Sequence, residues 1–143
     1  MLMDDKLLEN DLDWFLLSNH DFIAHFATAG KGPLPEKIKQ SIDDYEEIYR
    51  YFVSLKYSSE VTIIECNLPI FTNELQRLRY LSSFVDMSRK GLFSYDYIDD
   101  KYMLISRPVN PLTYQQLSNN VKNIIYKSQL NISSCIRWNN SEF

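Results

Sequence analysis

Glycine, histidine and cysteine are scarce in this chain of 143 residues: three, two and two. Two of the glycines fall together in "AGKG" (29–32), the only stretch that suggests a phosphate-binding loop. Such a loop needs a glycine five positions before its Gly-Lys pair and a Ser or Thr after the lysine, whose hydroxyl holds Mg²⁺. Here those positions hold His25 and Gly32. Pro33 and Pro35 also remove two backbone N–H donors that would face an anion. The stretch reads as punctuation between a hairpin and a helix, its glycines tolerating positive φ.

The other shortages exclude further chemistry. His20, His25, Cys66 and Cys135 contain no CxxC or HxxxH pair to anchor zinc. A nucleophilic site from Cys66, His25 and an acid such as Glu65 needs an open, positive setting that nothing in the sequence provides. Asp96, Asp99 and Asp100 lack the spacing and the glycine of a calcium loop and suit the turn of a hairpin. No metal or cofactor is expected. Cys66 and Cys135 are lone thiols, expected to be reduced and mostly buried. No run approaches the roughly 20 apolar residues of a spanning helix. The opening "MLMDDKLLENDLDW" lacks the basic, then apolar, order of a signal peptide. The expectation is a cytoplasmic protein without a membrane partner.

Positive charge is also short. Residues 1–47 hold 11 acids against four lysines, a balance of −7, and the remainder carries 8 acids against 11 bases, or +3. Arg77, Arg79, Arg89 and Lys90 give one segment a basic character, but a nucleic-acid binder would be basic as a whole, and the last two suit a helix C-terminus. No nucleic-acid partner is expected; an acidic end instead steers a basic partner inward.

What the chain has in quantity is apolar and aromatic material, 45% and 14% of residues, enough for the core of one domain over 1–143. Residues 1–10 and 139–143 are expected to be flexible. Residues 13–28 read as a hairpin with turn formers "SNHD" between its strands, and 92–106 as another. Ile38, Ile42, Tyr45, Tyr49 and Phe52 recur at helical spacing over 35–56, leaving Asp43, Glu47, Arg50 and Tyr51 opposite. "EVTIIECN" (60–67) reads as a largely buried strand. A helix opens at Asn73-x-x-Gln76, with Leu75, Leu78, Leu81 and Val85 as its apolar face and Gly91 as its stop. Thr113-x-x-Gln116 opens a shorter helical stretch, and "LNISSCIRW" alternates as a half-buried strand. The expected order is ββαβαββαβ: an α+β fold with a mostly antiparallel sheet and about three helices on one side.

Ten tyrosines exceed what a small core readily accommodates with its hydroxyls satisfied, so several are expected at the surface as interface anchors. Asp43, Glu46, Glu47 and Tyr51 would form an acidic-aromatic contact patch. "DWFLLSNHDFIAHFATAGKGPLPEKI" with the helix after it, and later "GLFSYDYIDDKYMLISRPVNPLTYQQL", resemble small bacterial immunity-type proteins that accompany polymorphic toxins. That resemblance implies a non-catalytic inhibitor that binds one cognate toxin domain. It brings no binding residues with it. Two other readings stand beside it: a small enzyme or ligand-binding domain around His25, Cys66 and the Gly30–Gly32 loop, and a homo-oligomeric structural subunit of a phage or bacterial assembly.

Overall fold

The computed structural model describes residues 1–138, so the tail expected to be flexible lies outside them. In chain order the first elements are α1 (Asp5–Leu8), β1 (Asp13–Leu17), β2 (Ile23–Ala27), α2 (Glu36–Lys39), α3 (Ile42–Ser54) and β3 (Val61–Ile63). They are followed by α4 (Glu74–Arg89), β4 (Phe93–Ile98), β5 (Lys101–Pro108), α5 (Asn119–Ile124), β6 (Tyr126–Lys127) and β7 (Cys135–Arg137). The class is α+β, with one mixed sheet ordered β3-β5-β4-β2-β1-β6 and β7 also on β5.

Both expected hairpins form. In the first, Trp14 stands opposite Phe26 and Phe15 opposite His25. The second turns at Asp99 and Asp100, both in the left-handed region (φ +52° and +63°) that aspartate tolerates. The hairpins join through β2 and β4, which run parallel, with His25 beside Ser94 and Ala27 beside Asp96. β1 and β6 are also parallel. The sheet is therefore mixed, because the long connection between the hairpins carries α3 and α4 across one face and returns β4 in the direction of β2.

Alternation along the strands separates two cores. On one face Trp14 stacks on Phe26 at 4.2 Å, and Phe26 stacks on Tyr95 and meets Tyr102 edge-on, both at 4.9 Å. Met3, Leu12, Leu34, Leu130 and Ile136 close this face. On the other face Phe15, Leu17 and Ile23 meet Ile48 and Phe52 of α3, Met87 of α4 and Val121 of α5. Ala27 and Ile105 meet Leu81 and Phe84 of α4.

Several local expectations need correction. The helix read over 35–56 is broken: α2 is a short turn, and Ser41 then caps α3 by accepting the Asp44 N–H at 3.2 Å. The inward stripe of α3 holds Ile48 and Phe52, so Tyr49 is left exposed. α4 is rotated from its expected phase. It buries Leu81, Phe84, Met87 and Ser88, while Leu75 and Leu78 each remain 56% exposed. Asn73 caps α4 as expected, but Gln76 turns its side chain to Thr72. The strand read over 60–67 shrinks to an edge strand, followed by a 3₁₀ turn over Glu65–Asn67. The C-terminal strand shrinks likewise to three residues. Among the described residues five α-helices form instead of about three. Residues 1–10 are ordered against the body: Met3 is buried and its N–H donates to the Lys39 carbonyl at 2.9 Å.

β3 and β7 lie end to end along the same edge of β5. Asn67 closes the gap between them, its amide donating to Leu104 O (2.9 Å) and Ser134 O (3.1 Å). The backbone groups exposed between two short strands are thereby satisfied by one side chain.

Most tyrosines are not surface anchors. Tyr95 donates to Ser133 O and Tyr102 to Pro33 O, at 2.7 and 2.8 Å. Tyr80 donates to Asp96, and Tyr51 accepts the Ser118 N–H. Tyr95 and Tyr102 bury their rings fully, and each of these hydroxyls finds a backbone or carboxylate partner, which is how a small domain accommodates so many. Tyr49 and Tyr57 are the exposed ones among the described residues.

Candidate functional site

α3 follows from its sequence: a serine cap, two aspartates in its first turn favoured by the helix dipole, and an apolar stripe on one side. That stripe fixes what faces out. Asp43, Asp44 and Glu46 are exposed, as are Tyr49 (38%), Arg50 and Val53 (44%). None of the four acids of α3 forms an ion pair among the described residues. Glu47 and Tyr51 are half-buried; the Tyr51 hydroxyl takes the N–H of Ser118, the cap of α5, at 3.2 Å. Of the four residues expected to form a patch, Asp43 and Glu46 stand in the open together, while Glu47 and Tyr51 lie at its margin. The open aromatic and aliphatic members are Tyr49 and Val53. Helical spacing alone could have found them, had the buried stripe been placed on Ile48 and Phe52.

Beside this ridge runs a slot where α3 meets β1 and β6. Trp14, Phe15, Ile48 and Ile124 give it apolar walls, and Asp44, Tyr45 and Lys37 give it a polar mouth. Burial pushes the Tyr45 hydroxyl up to about 12, against the Asp13 N–H it accepts. Tyr45 is therefore a neutral hydrogen-bonding group at physiological pH. The arrangement offers carboxylates on a ridge and an apolar recess alongside.

His25 sits on β2 beneath the helices, fully buried. Its Nε2 lies 2.7 Å from Asp13 Oδ1 and its Nδ1 2.6 Å from Ser94 Oγ. A carboxylate only accepts, so Nε2 carries the proton and, in the neutral ring, Nδ1 accepts from the Ser94 hydroxyl. Hydroxyl, imidazole and carboxylate thus stand in line, the components of a nucleophilic relay. Ser94 is also fully buried, and the rings of Phe15 and Phe84 lie 5.4 and 6.3 Å from the imidazole. A substrate atom would have to displace this packing to reach the hydroxyl. The partners of His25 are a strand aspartate and a strand serine, which sequence reading passed over; knowing the β2–β4 register would have found them.

Cys66 is not among them. Contrary to expectation it is exposed, on the 3₁₀ turn after β3, and Cys135 is partly exposed. A turn outside an edge strand offers nothing to cover a side chain. Glu65 faces Arg77 at 2.7 Å, and that hydrogen bond holds its carboxyl below the usual range. Asp96 lies on the helix-covered face next to Ala27; burial raises its carboxyl despite the hydrogen bonds from Tyr80 and the Tyr97 N–H. Among the described residues, no group of three or more His, Cys, Asp or Glu side chains is placed to hold a metal ion. No described helix is long and apolar enough to cross a membrane.

The "AGKG" loop is a turn. Ala29 and Gly30 adopt left-handed φ of +54° and +78°. Gly32 is required by close approach, because a Cβ there would lie 2.7 Å from the Tyr102 hydroxyl and 2.9 Å from the Tyr97 ring. No family model, curated protein or solved structure matches this chain.

Proposed function

We propose that this chain is a non-catalytic protein-binding domain that binds and neutralises a basic partner, of the kind a bacterial immunity protein meets in its cognate toxin domain. The observation that carries this reading is the outer face of α3: Asp43 and Glu46, without ion pairs among the described residues, share it with the exposed Tyr49, Arg50 and Val53, while Asp44 stands on the flank toward the slot. Interfaces combine aromatic or aliphatic anchors with a charged rim, and opposite charge speeds encounter. Glu47 and Tyr51 would contribute from the margin, and the slot under Asp44 would receive an apolar side chain of the partner. The protein acts in the cytoplasm on this reading, where an inhibitor protects the cell that makes the toxin.

Tagged protein is used to capture partners from the native host, with washes of rising salt. The expected result is one basic protein at near-equal stoichiometry whose association slows at high salt. With that partner in hand, Asp43→Lys with Glu46→Lys should lower the association rate, and Val53→Asp should speed dissociation. Unchanged rates in both variants would remove α3 as the contact face. A partner that binds only nucleotides or metabolites through this chain would overturn the reading itself.

A further inference from the structure

The sheet face turned away from α3 and α4 is closed by Met3, Leu12, Leu34, Leu130 and Ile136, but not along its whole length. Where β2 and β4 begin, a groove of about 460 Å³ stays open between the sheet and residues 131–134. Its floor and walls are apolar: Phe22, Ile64, Phe93, Leu104 and Ile132. The rings of Phe22 and Phe93 stand 5.6 Å apart and tilted by 39°, forming a shallow aromatic V. A volume of this order is that of a small-molecule site rather than of a packing defect.

One permanent charge lies over this floor. Ser94 pairs with Ser106 across β4 and β5, so the next residues, Phe93 and Arg107, are neighbours on the face away from the helices. The Arg107 guanidinium lies over the Phe93 ring at 5.7 Å. It forms no ion pair among the described residues, and no Asp or Glu lines the groove. An arginine stacked on a ring keeps its planar N–H fork free for an anion. The other polar side chains point the same way. The Asn131 carboxamide oxygen is taken by Asn19, which leaves its N–H₂ to donate, and Ser134 Oγ accepts from Asn67, which leaves its O–H to donate. Ser18 and Ser133 spend their hydroxyls on the carbonyls of Phe22 and Cys135. Apart from His20 at the rim, what these side chains have left to offer is mainly donors.

A cation without an acid, a rim of donors and an aromatic floor select one class of ligand. We propose that this groove binds a small aromatic carboxylate. The carboxylate takes the Arg107 fork with two parallel N–H···O bonds. The ring lies offset on Phe22 and Phe93, and Ile64 and Ile132 flank it. A phosphate monoester would bring close to two negative charges to a single guanidinium, whereas a carboxylate brings one. The groove lies on the opposite face of the sheet from α3, uses none of its residues and does not rest on the α3 reading.

The probe is 3-phenylpropionate, titrated into the full chain while backbone amide resonances are followed by NMR. The expected result is saturable shifts confined to Phe22, Phe93, Arg107 and residues 131–134. 3-Phenylpropanamide has the same shape without the charge and should bind at least about tenfold more weakly. Arg107→Gln, at an exposed position, should weaken the carboxylate by a similar factor and leave the amide unchanged. No saturable shift in the groove overturns the proposal. So does equal affinity for acid and amide, which would make the groove merely apolar, or a carboxylate affinity indifferent to Arg107→Gln. Phenyl phosphate binding more tightly than 3-phenylpropionate would give the groove to phosphate monoesters and overturn it likewise. If Arg107→Gln does not fold, the wild-type comparison of acid with amide decides: a clear preference for the acid supports the proposal, and none overturns it.

Discussion

α3 and α4 are built alike on the inside and differ on the outside. Each begins at a side-chain cap, Ser41 or Asn73, and each presses a phenylalanine into the same helix-covered face, Phe52 at 0% exposure and Phe84 at 5%. Outside, the charges of α4 are mostly employed. Arg77 holds Glu65, Lys90 reaches Asp86 and the Val53 carbonyl, and Arg89 covers the Tyr57 ring. The acids of α3 have no such occupation among the described residues. Counting charges gives α3 four acids against Arg50 and gives α4 three arginines against Glu74 and Asp86, which does not say which of them are free. What separates them is how many charges the fold itself uses, and the unused ones are those available to a partner.

The largest expected effect tests the shared interior. Phe52→Ala and Phe84→Ala should each cost about 3–5 kcal/mol in chemical denaturation, from lost burial and the cavity left behind. A large loss at one and little at the other would break the likeness. His25 lies between the two helices' clusters, near Phe15 on one side and Phe84 on the other. His25→Leu strands the fully buried Ser94 hydroxyl and should cost about 1–3 kcal/mol for it, while the Asp13 carboxylate, 31% exposed, can be hydrated. The measurement is again denaturation; a neutral result would mean the line of three groups does not hold the strands together.

A smaller effect, confined to the surroundings of α4, is read by pH. Asp96, hydrogen-bonded to Tyr80 of α4, has its carboxyl raised above the usual 3.8 by burial. A raised carboxyl favours the fold while protonated, and that contribution is lost as pH rises through its folded value. Asp96→Asn should therefore gain stability relative to the wild type between acid and neutral pH. Asp86 behaves in the opposite sense. Burial raises it, but the hydrogen bonds from Tyr57 and Lys90 outweigh burial and hold it below 3.8. Its contribution is present above the usual value and fades as pH falls through the lowered one, so Asp86→Asn should cost less in acid than at neutral pH. The smallest effect falls on the exteriors. Asp43→Lys and Arg79→Glu should each change stability by no more than about 0.5 kcal/mol in denaturation. A larger loss at either would mean its charge is structural after all.

The hairpins were legible because short-range signals suffice for them: alternation in the strands and aspartates at the turns. The acidic ridge was legible in Asp43 and Glu46, which no helix of that composition could bury. The phase of each helix was not. In α4, apolar residues stand on both flanks, and the expected Leu75–Leu78–Leu81–Val85 stripe gives way to one on which Leu81 and Phe84 pack against Ala27 and Ile105, with the Ser88 hydroxyl 2.7 Å from that of Ser106. In α3 the same ambiguity exchanged Tyr51 for Tyr49. The parallel pairing of β2 with β4 joins segments far apart in the chain, so no local pattern reports it, and the Asp13–His25–Ser94 line was hidden with it.

Asn67 gives the outer edge of the sheet a property that neither strand on it possesses. β3 and β7 are three residues each, too short to bear much tension separately. With one amide gripping Leu104 and Ser134 where they meet, a pull on the C-terminal segment is shared between β7 and the turn after β3. The edge should then yield as one seam, with Asn67 as the stitch whose loss lets each end ravel alone.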